Sequence, residues 1–220
     1  MSLTQTVWVS LGAALLGAVA GAGISWRALA WNVRKEWQRR QAQARRALQV
    51  EMLMNAQRLR TGAIVQRHAA DSQRGLADLQ GRVADLQHRG CDVSEVAGDV
   101  EAMQAELRKV TGPNVLAGRN FNAAFQRYFT GATEGMAWED VSCVLDAYGV
   151  GEVLFEGSLV VDPVRTGEKL YRDNADRFCK AIRAVSKYES LEGAFYEEVE
   201  KLEKWLVQND KRARPPASPE

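Results

Sequence analysis

Val7-Trp8-Val9-Ser10-Leu11-Gly12-Ala13-Ala14-Leu15-Leu16-Gly17-Ala18-Val19-Ala20-Gly21-Ala22-Gly23-Ile24-Ser25-Trp26 runs without a charged side chain, and Arg27 is the first charged residue the sequence meets. At about 1.5 Å of rise per residue, a helix over 7–30 covers the roughly 30 Å of bilayer hydrocarbon, and a buried soluble helix seldom stays uncharged for so long. Trp8 stands at one end of the run and Trp26 and Trp31 at the other, where indole rings favour the two water interfaces. The reading is therefore a single transmembrane helix. Ala18-Val19-Ala20 offers small residues of the kind a signal peptidase cuts after. A cleaved leader, however, places its positive charge before the apolar run, and the first six residues hold no Lys or Arg.

The charge asymmetry also sets an orientation. Arg27, Arg34, Lys35, Arg39 and Arg40 flank only the C-terminal side of the run, with Arg45 and Arg46 beyond them. Cationic flanks stay on the cytoplasmic side. The expectation is a single-pass protein of the cell inner (plasma) membrane, with residues 1–6 as a short external tail and the C-terminal part in the cytoplasm. The same five cations are the candidate contacts to lipid headgroups, each contributing about 1 kcal/mol near an anionic surface. Within the span, Ala13, Gly17, Gly21 and Ser25 recur every fourth residue, a stripe of small side chains that lets two membrane helices approach closely. A membrane helix rich in Ala and Gly also produces such spacing by chance.

Beyond the span, residues 31–70 read as a basic juxtamembrane stalk helix. From Arg27 to Arg67 ten Lys/Arg stand against two acids, Glu36 and Glu51; from Glu134 to Asp210 seventeen acids stand against nine bases. The chain is electrically bipolar, so its acidic end is expected either to fold back on the basic stalk or to recruit a basic partner. Trp37, Ala44, Leu48, Met52, Asn55 and Leu59 share one helix face that is available to a partner, and Asn55 on that face suits a register-fixing polar contact. The spacing Leu48, Glu51, Asn55 and Leu59 directly after an anchor resembles that of a loose set of bacterial single-pass, membrane-anchored helical proteins of uncharacterised activity. The resemblance covers little of the chain. It implies a bacterial or phage origin and no chemistry.

Residues 71–111 carry two further stripes, Leu76, Leu79, Val83 and Leu86, then Val93, Val96, Val100, Met103, Leu107 and Val110. Leu79, Leu86, Val93, Val100 and Leu107 keep a seven-residue period that suits one long coiled coil. Gly90, placed to end a helix, and Asp92 with Glu95, placed to start another, favour a helical hairpin. Thr111-Gly112-Pro113 closes this unit. Residues 112–210 read as a helical bundle. Its expected faces are Phe121, Phe125, Tyr128 and Phe129; then Trp138, Val141, Leu145 and Tyr148 up to a stop at Gly149; then Leu170, Phe178, Ile182 and Val185 after Asp162-Pro163; and finally Leu191, Phe195, Val199, Leu202 and Leu206. Val153 to Val161 is the one place where a small β-hairpin fits, a loop or short helix being the alternative. Residues 211–220 have nothing to bury and read as a disordered tail. The expected fold class is all-α.

The sequence offers no recognisable chemistry. There is no Gly-x-x-x-x-Gly-Lys loop, no Gly-x-Gly-x-x-Gly and no Gly-x-Ser-x-Gly. His68 with Asp71, and His88 with Cys91 and Asp92, each supply too few metal ligands. Cys91, Cys143 and Cys179 are odd in number and unpaired in spacing. Glu197, Glu198, Glu200 and Glu203 interleave with Lys201 and Lys204 as on a solvated helix face. No catalytic residue, metal or cofactor is expected. The expected function is a non-enzymatic, membrane-anchored, cytoplasm-facing interaction or scaffold protein. Its expected partners are membrane lipid, a second copy through the span and stalk, and another protein, but not nucleic acid. A phage-type envelope or lysis coiled coil facing the periplasm, or an accessory subunit of a membrane complex, is the alternative.

Overall fold

The first proline of the sequence is Pro113, and Ala, Arg, Leu and Gln are the commonest of the hundred residues before it. Such a composition favours helix at nearly every step. In the computed structural model a single helix, α1, spans Leu3–His88, about 130 Å of rise. The structure describes the backbone of residues 3–110, 121–155, 167–190 and 193–213, and the side chains of 21–23, 25–108, 121–152, 154, 155, 167–190 and 193–209. Every regular element among them is helical, with no strand.

α1 ends in a left-handed glycine cap. Gly90 has φ +69°, the Cys91 amide donates to Leu86 O at 3.0 Å and the Gly90 amide to Gln87 O at 3.1 Å, the paired bonds that close a helix C-terminus. Asp92 Oδ1 then accepts from the Ser94 amide at 3.0 Å, and α2 (Ser94–Val110) runs back along α1. A Cβ placed on Gly75 would lie 3.3 Å from Met103 Sδ, which fixes the register of the two arms.

α3 (Ala123–Thr133), α4 (Trp138–Phe155), α5 (Glu168–Ser186) and α6 (Gly193–Ala213) gather around the middle of α1. α3 and α5 run antiparallel to it and α6 parallel, while α4 packs on α5. Leu48, Met52, Ala56, Leu59 and Ala63 of α1 form the spine of the core and meet Phe121, Val144, Tyr148, Phe178, Ile182, Val185 and Leu202. Phe121 stacks on Phe155 at 4.9 Å between centroids, and the Tyr148 ring meets Phe178 edge-on at 5.3 Å. Gly62 brings α5 close, because a Cβ there would sit 2.6 Å from the Tyr171 ring.

Several expectations change. The stalk is not separate from the bundle: from Ala44 onward it is the bundle's central helix, and the stripe left open for a second copy is covered by the chain's own α3 and α5. An amphipathic stripe records that a face is covered, and by what it does not say. Gly149 does not stop α4, which continues through Gly149 and Gly151 to Phe155, where Leu154 and Phe155 are buried. Gly151 is needed inside the helix because a Cβ would press to 3.3 Å on the Phe178 ring. The proposed strand Val153-Leu154-Phe155 is thus a last helical turn. The rest of the 153–161 segment, the Asp162-Pro163 helix start and residues 214–220 lie outside the described residues. The buried face of α4 is rotated from the expected one: Asp140, Val144, Ala147 and Tyr148 point inward, while Trp138 and Leu145 are exposed. Phe125, Tyr128 and Phe129 lie half-buried against the core. Helix α6 runs through Lys211 to Ala213, three residues into the stretch read as tail.

Candidate functional site

Trp26, Leu29, Val33 and Trp37 follow one another at three, four and four residues, and the same face continues into Ala44, Leu48 and Met52. The bundle covers this face from Ala44 onward and leaves the earlier part open. All described residues from 21 to 40 are exposed, and Trp26 shows 72% of its surface, Leu29 and Val33 58% each and Trp31 57%. Single exposed apolar residues need no explanation, but a helical run of four with a further tryptophan, Trp31, nearby does. Gly21 and Ser25 of the small-residue stripe stand in the same open stretch, and a Cβ added at Gly21 would meet nothing within 4 Å. The side chains of Trp8, Ala13 and Gly17 lie outside the described residues. Among the described residues no helix is long and apolar enough to cross a membrane. The run from Val7 belongs for most of its length to positions whose side chains are not among them.

The cations that follow are exposed as well. Arg27, Arg34, Lys35, Arg39 and Arg40 all face solvent; Lys35 Nζ sits 3.7 Å above the Trp31 ring, and Arg40 pairs with Glu36 at 2.6 Å. Among the described residues no acidic helix of the bundle folds back over them. The bundle first reaches α1 at Gln41, whose side chain donates to Glu134 O, and Arg46 lies 3.3 Å from Glu189.

Where α1 enters the bundle its polar side chains close the ends of its neighbours. Arg45, 8% exposed, donates through Nε to Ala132 O at 3.0 Å, through Nη2 to Glu134 O at 2.9 Å and through Nη1 to Tyr188 O at 3.3 Å. Those carbonyls end α3 and follow α5, where a cation suits the negative end of a helix dipole. Six residues on, Glu51 accepts from the Ala124 and Phe125 amides at 2.6 and 3.0 Å, closing the positive end of α3, and from the Tyr148 hydroxyl at 2.7 Å. Gln41 donates to Glu134 O, Gln49 to Glu189 O, and Asn55, fully buried, donates to Phe121 O at 2.6 Å. Asn55 does fix a register, within the chain and not between copies. This joint fixes where the open part of α1 leaves the bundle.

A second polar group closes the same end of the bundle. The Asp140 carboxylate, in the first turn of α4, accepts from Lys187 Nζ at 2.6 Å and from the Tyr188 hydroxyl at 2.9 Å, while the Tyr188 oxygen accepts from the Ala137 amide. The Lys187 bond holds the Asp140 carboxyl below the usual carboxylate range, with Tyr188 adding to it, and the same bond raises Lys187.

Two open grooves gather titratable side chains among the described residues. His68, with Arg67, Asp71, Glu168 and Trp205, lines an open groove between α1, α5 and α6; His88 ends α1 in solvent. No cluster of three or more His, Cys, Asp or Glu side chains among them is disposed to hold a metal ion. Cys143 borders a second groove with Asp146, Asp173 and Asp176, whose neighbours Arg177 and Lys180 pair with Asp146 and Asp176. Cys179 is buried, and burial pushes its thiol up to about 12; Cys91 at the hairpin tip is exposed. On α6, Glu198 pairs with Lys201 and Glu200 with Lys204, while Glu203 grips Arg183 through both oxygens, at 2.8 and 2.7 Å.

No protein-family model matches the sequence, and neither the curated proteins nor the solved structures hold a significant match to it.

The sequence reading missed the capping roles of Arg45, Gln49 and Glu51. Arg45 looked like one more topology charge, because its three acceptors lie 87 or more residues away.

Proposed function

We propose that this protein is anchored in a membrane by the N-terminal part of α1, presents its bundle and hairpin to the cytoplasm, and acts by binding rather than by catalysis. The observation that carries the reading is the open apolar face at Trp26, Leu29, Val33 and Trp37, continuous with the buried face of the bundle and covered by no other part of the described chain. Bilayer supplies the missing cover at the least cost, because lipid needs no complementary shape. The uncharged run Val7 to Trp26 leads into this face, Arg27, Arg34 and Lys35 interleave with it in sequence and Arg39 and Arg40 follow it, so the cations stand only on the C-terminal side of the run, an order that favours a span with its cationic flank inside. Ala13, Gly17, Gly21 and Ser25 would be the face on which two such spans meet, and Trp8, Trp26 and Trp31 the interface anchors.

The test is extraction of native membranes at alkaline pH, which releases peripheral proteins and keeps spanning ones. The full chain is expected in the pellet, and replacement of Leu15 and Leu16 by Lys is expected to release it. Recovery of the unaltered chain in the alkaline supernatant would overturn the reading.

A further inference from the structure

Residues 71–108, the distal end of α1 and its return helix α2, contain no fully buried side chain, whereas Ala44 to Ala70 carries a continuous buried face. By the Gly75–Met103 register Leu79, Val83 and Leu86 stand opposite the arm of Val93, Val100 and Met103, yet none of the six is fully buried. Two helices cannot enclose a seam of this kind, since each leaves its outer flank wet; four can. The charges around the seam carry the argument further. From the Gly75–Met103 pair, Arg82 comes level with Val96, between Glu95 and Asp99, and Arg89 with the turn that carries Asp92. Among the described residues none of these charges has an ion pair, the hairpin's pair being Arg74 with Asp71. One arm therefore offers unpaired arginines at the heights where the other offers unpaired acids.

We infer that this hairpin docks on the hairpin of a second copy, α1 of one against α2 of the other, forming a four-helix bundle with the two tips together. The inference rests on the anchored reading. Two copies fixed in the same membrane by the same helix present every residue at the same height, so identical seams meet in register and the acids of one α2 meet the arginines of its partner's α1. A twofold pair satisfies both sets at once.

Cys91 at the exposed tip reports the pairing without being part of it. In native membranes holding the full chain with Cys143→Ser, a short bismaleimide is expected to yield a dimer, and Cys91→Ser to abolish it. Arg82→Glu in one copy, or Glu95→Lys with Asp99→Lys in another, is expected to cut its own dimer by about an order of magnitude, and coexpression of the two to restore a mixed dimer. Absence of a Cys91 dimer, a Cys91 adduct to a protein of different mass, or charge variants that pair as well as the parent would each overturn the inference. Alkaline extraction of the same membranes keeps the two readings apart. A dimer released by alkali removes the anchor and leaves the hairpin contact, whereas a retained monomer removes the hairpin contact alone.

Discussion

Arg45 and Glu51 hold opposite ends of α3 from one neighbouring helix, and their loss is predicted to be felt across the whole bundle. Arg45→Met removes a buried cation from three carbonyls and is expected to cost about 3 kcal/mol, with Arg45→Lys recovering only part because the three donors of an ammonium sit on one nitrogen and cannot span acceptors met by three separate guanidinium nitrogens. Glu51→Gln should cost about 1–2 kcal/mol through the α3 amides and the Tyr148 hydroxyl. Urea midpoints measure both. Asp140 gives a pH signature. Its folded pKa is depressed, so its contribution is present above the unfolded value of about 3.9 and is lost as pH falls through the folded one. Asp140→Asn should therefore lower the urea midpoint at neutral pH and converge with the parent in strong acid; a gap that stays constant would rule out the Lys187 and Tyr188 bonds as its cause. None of these roles could be read from the sequence, because each partner lies across a packing contact between distant segments. Asn55 was legible as a polar residue on an apolar stripe, and only the identity of its partner was not.

At the scale of elements, helices were legible wherever a stripe recurred for several turns. The seam residues of α1 and α2 and the turn chemistry at Gly90 are local, and local chemistry is what a sequence displays. Glycines inside helices were the weak point. Gly149 looked like a stop, yet α4 continues through it, and Gly151 makes room for the Phe178 ring. Gly62 has the same purpose. Gly62→Ala would drive a Cβ to 2.6 Å from the Tyr171 ring and is expected to cost about 1–3 kcal/mol, a melting-temperature drop of roughly 2–8 °C. In a double-mutant cycle with Tyr171→Leu, most of that cost should vanish. Additive costs would place the strain elsewhere.

For the whole molecule, the long helix is the organising fact: its middle is the spine of a bundle, its distal end one arm of a hairpin, and its near end an apolar face left open among cations. The cations and the uncharged run are plain in the sequence, since composition alone defines them. That Ala44 to Leu59 serves the chain's own bundle is not, because inward and outward partners leave the same stripe. The central claim, a membrane anchor with the bundle and hairpin inside, is tested most directly by the exposed thiol of Cys91. A membrane-impermeant maleimide is added to intact cells or to permeabilised ones, and label is then read in the alkali-washed membrane pellet from cells producing the Cys143→Ser chain. The account predicts labelled protein in that pellet only after permeabilisation. Label acquired by intact cells, or protein missing from the washed pellet, would contradict it.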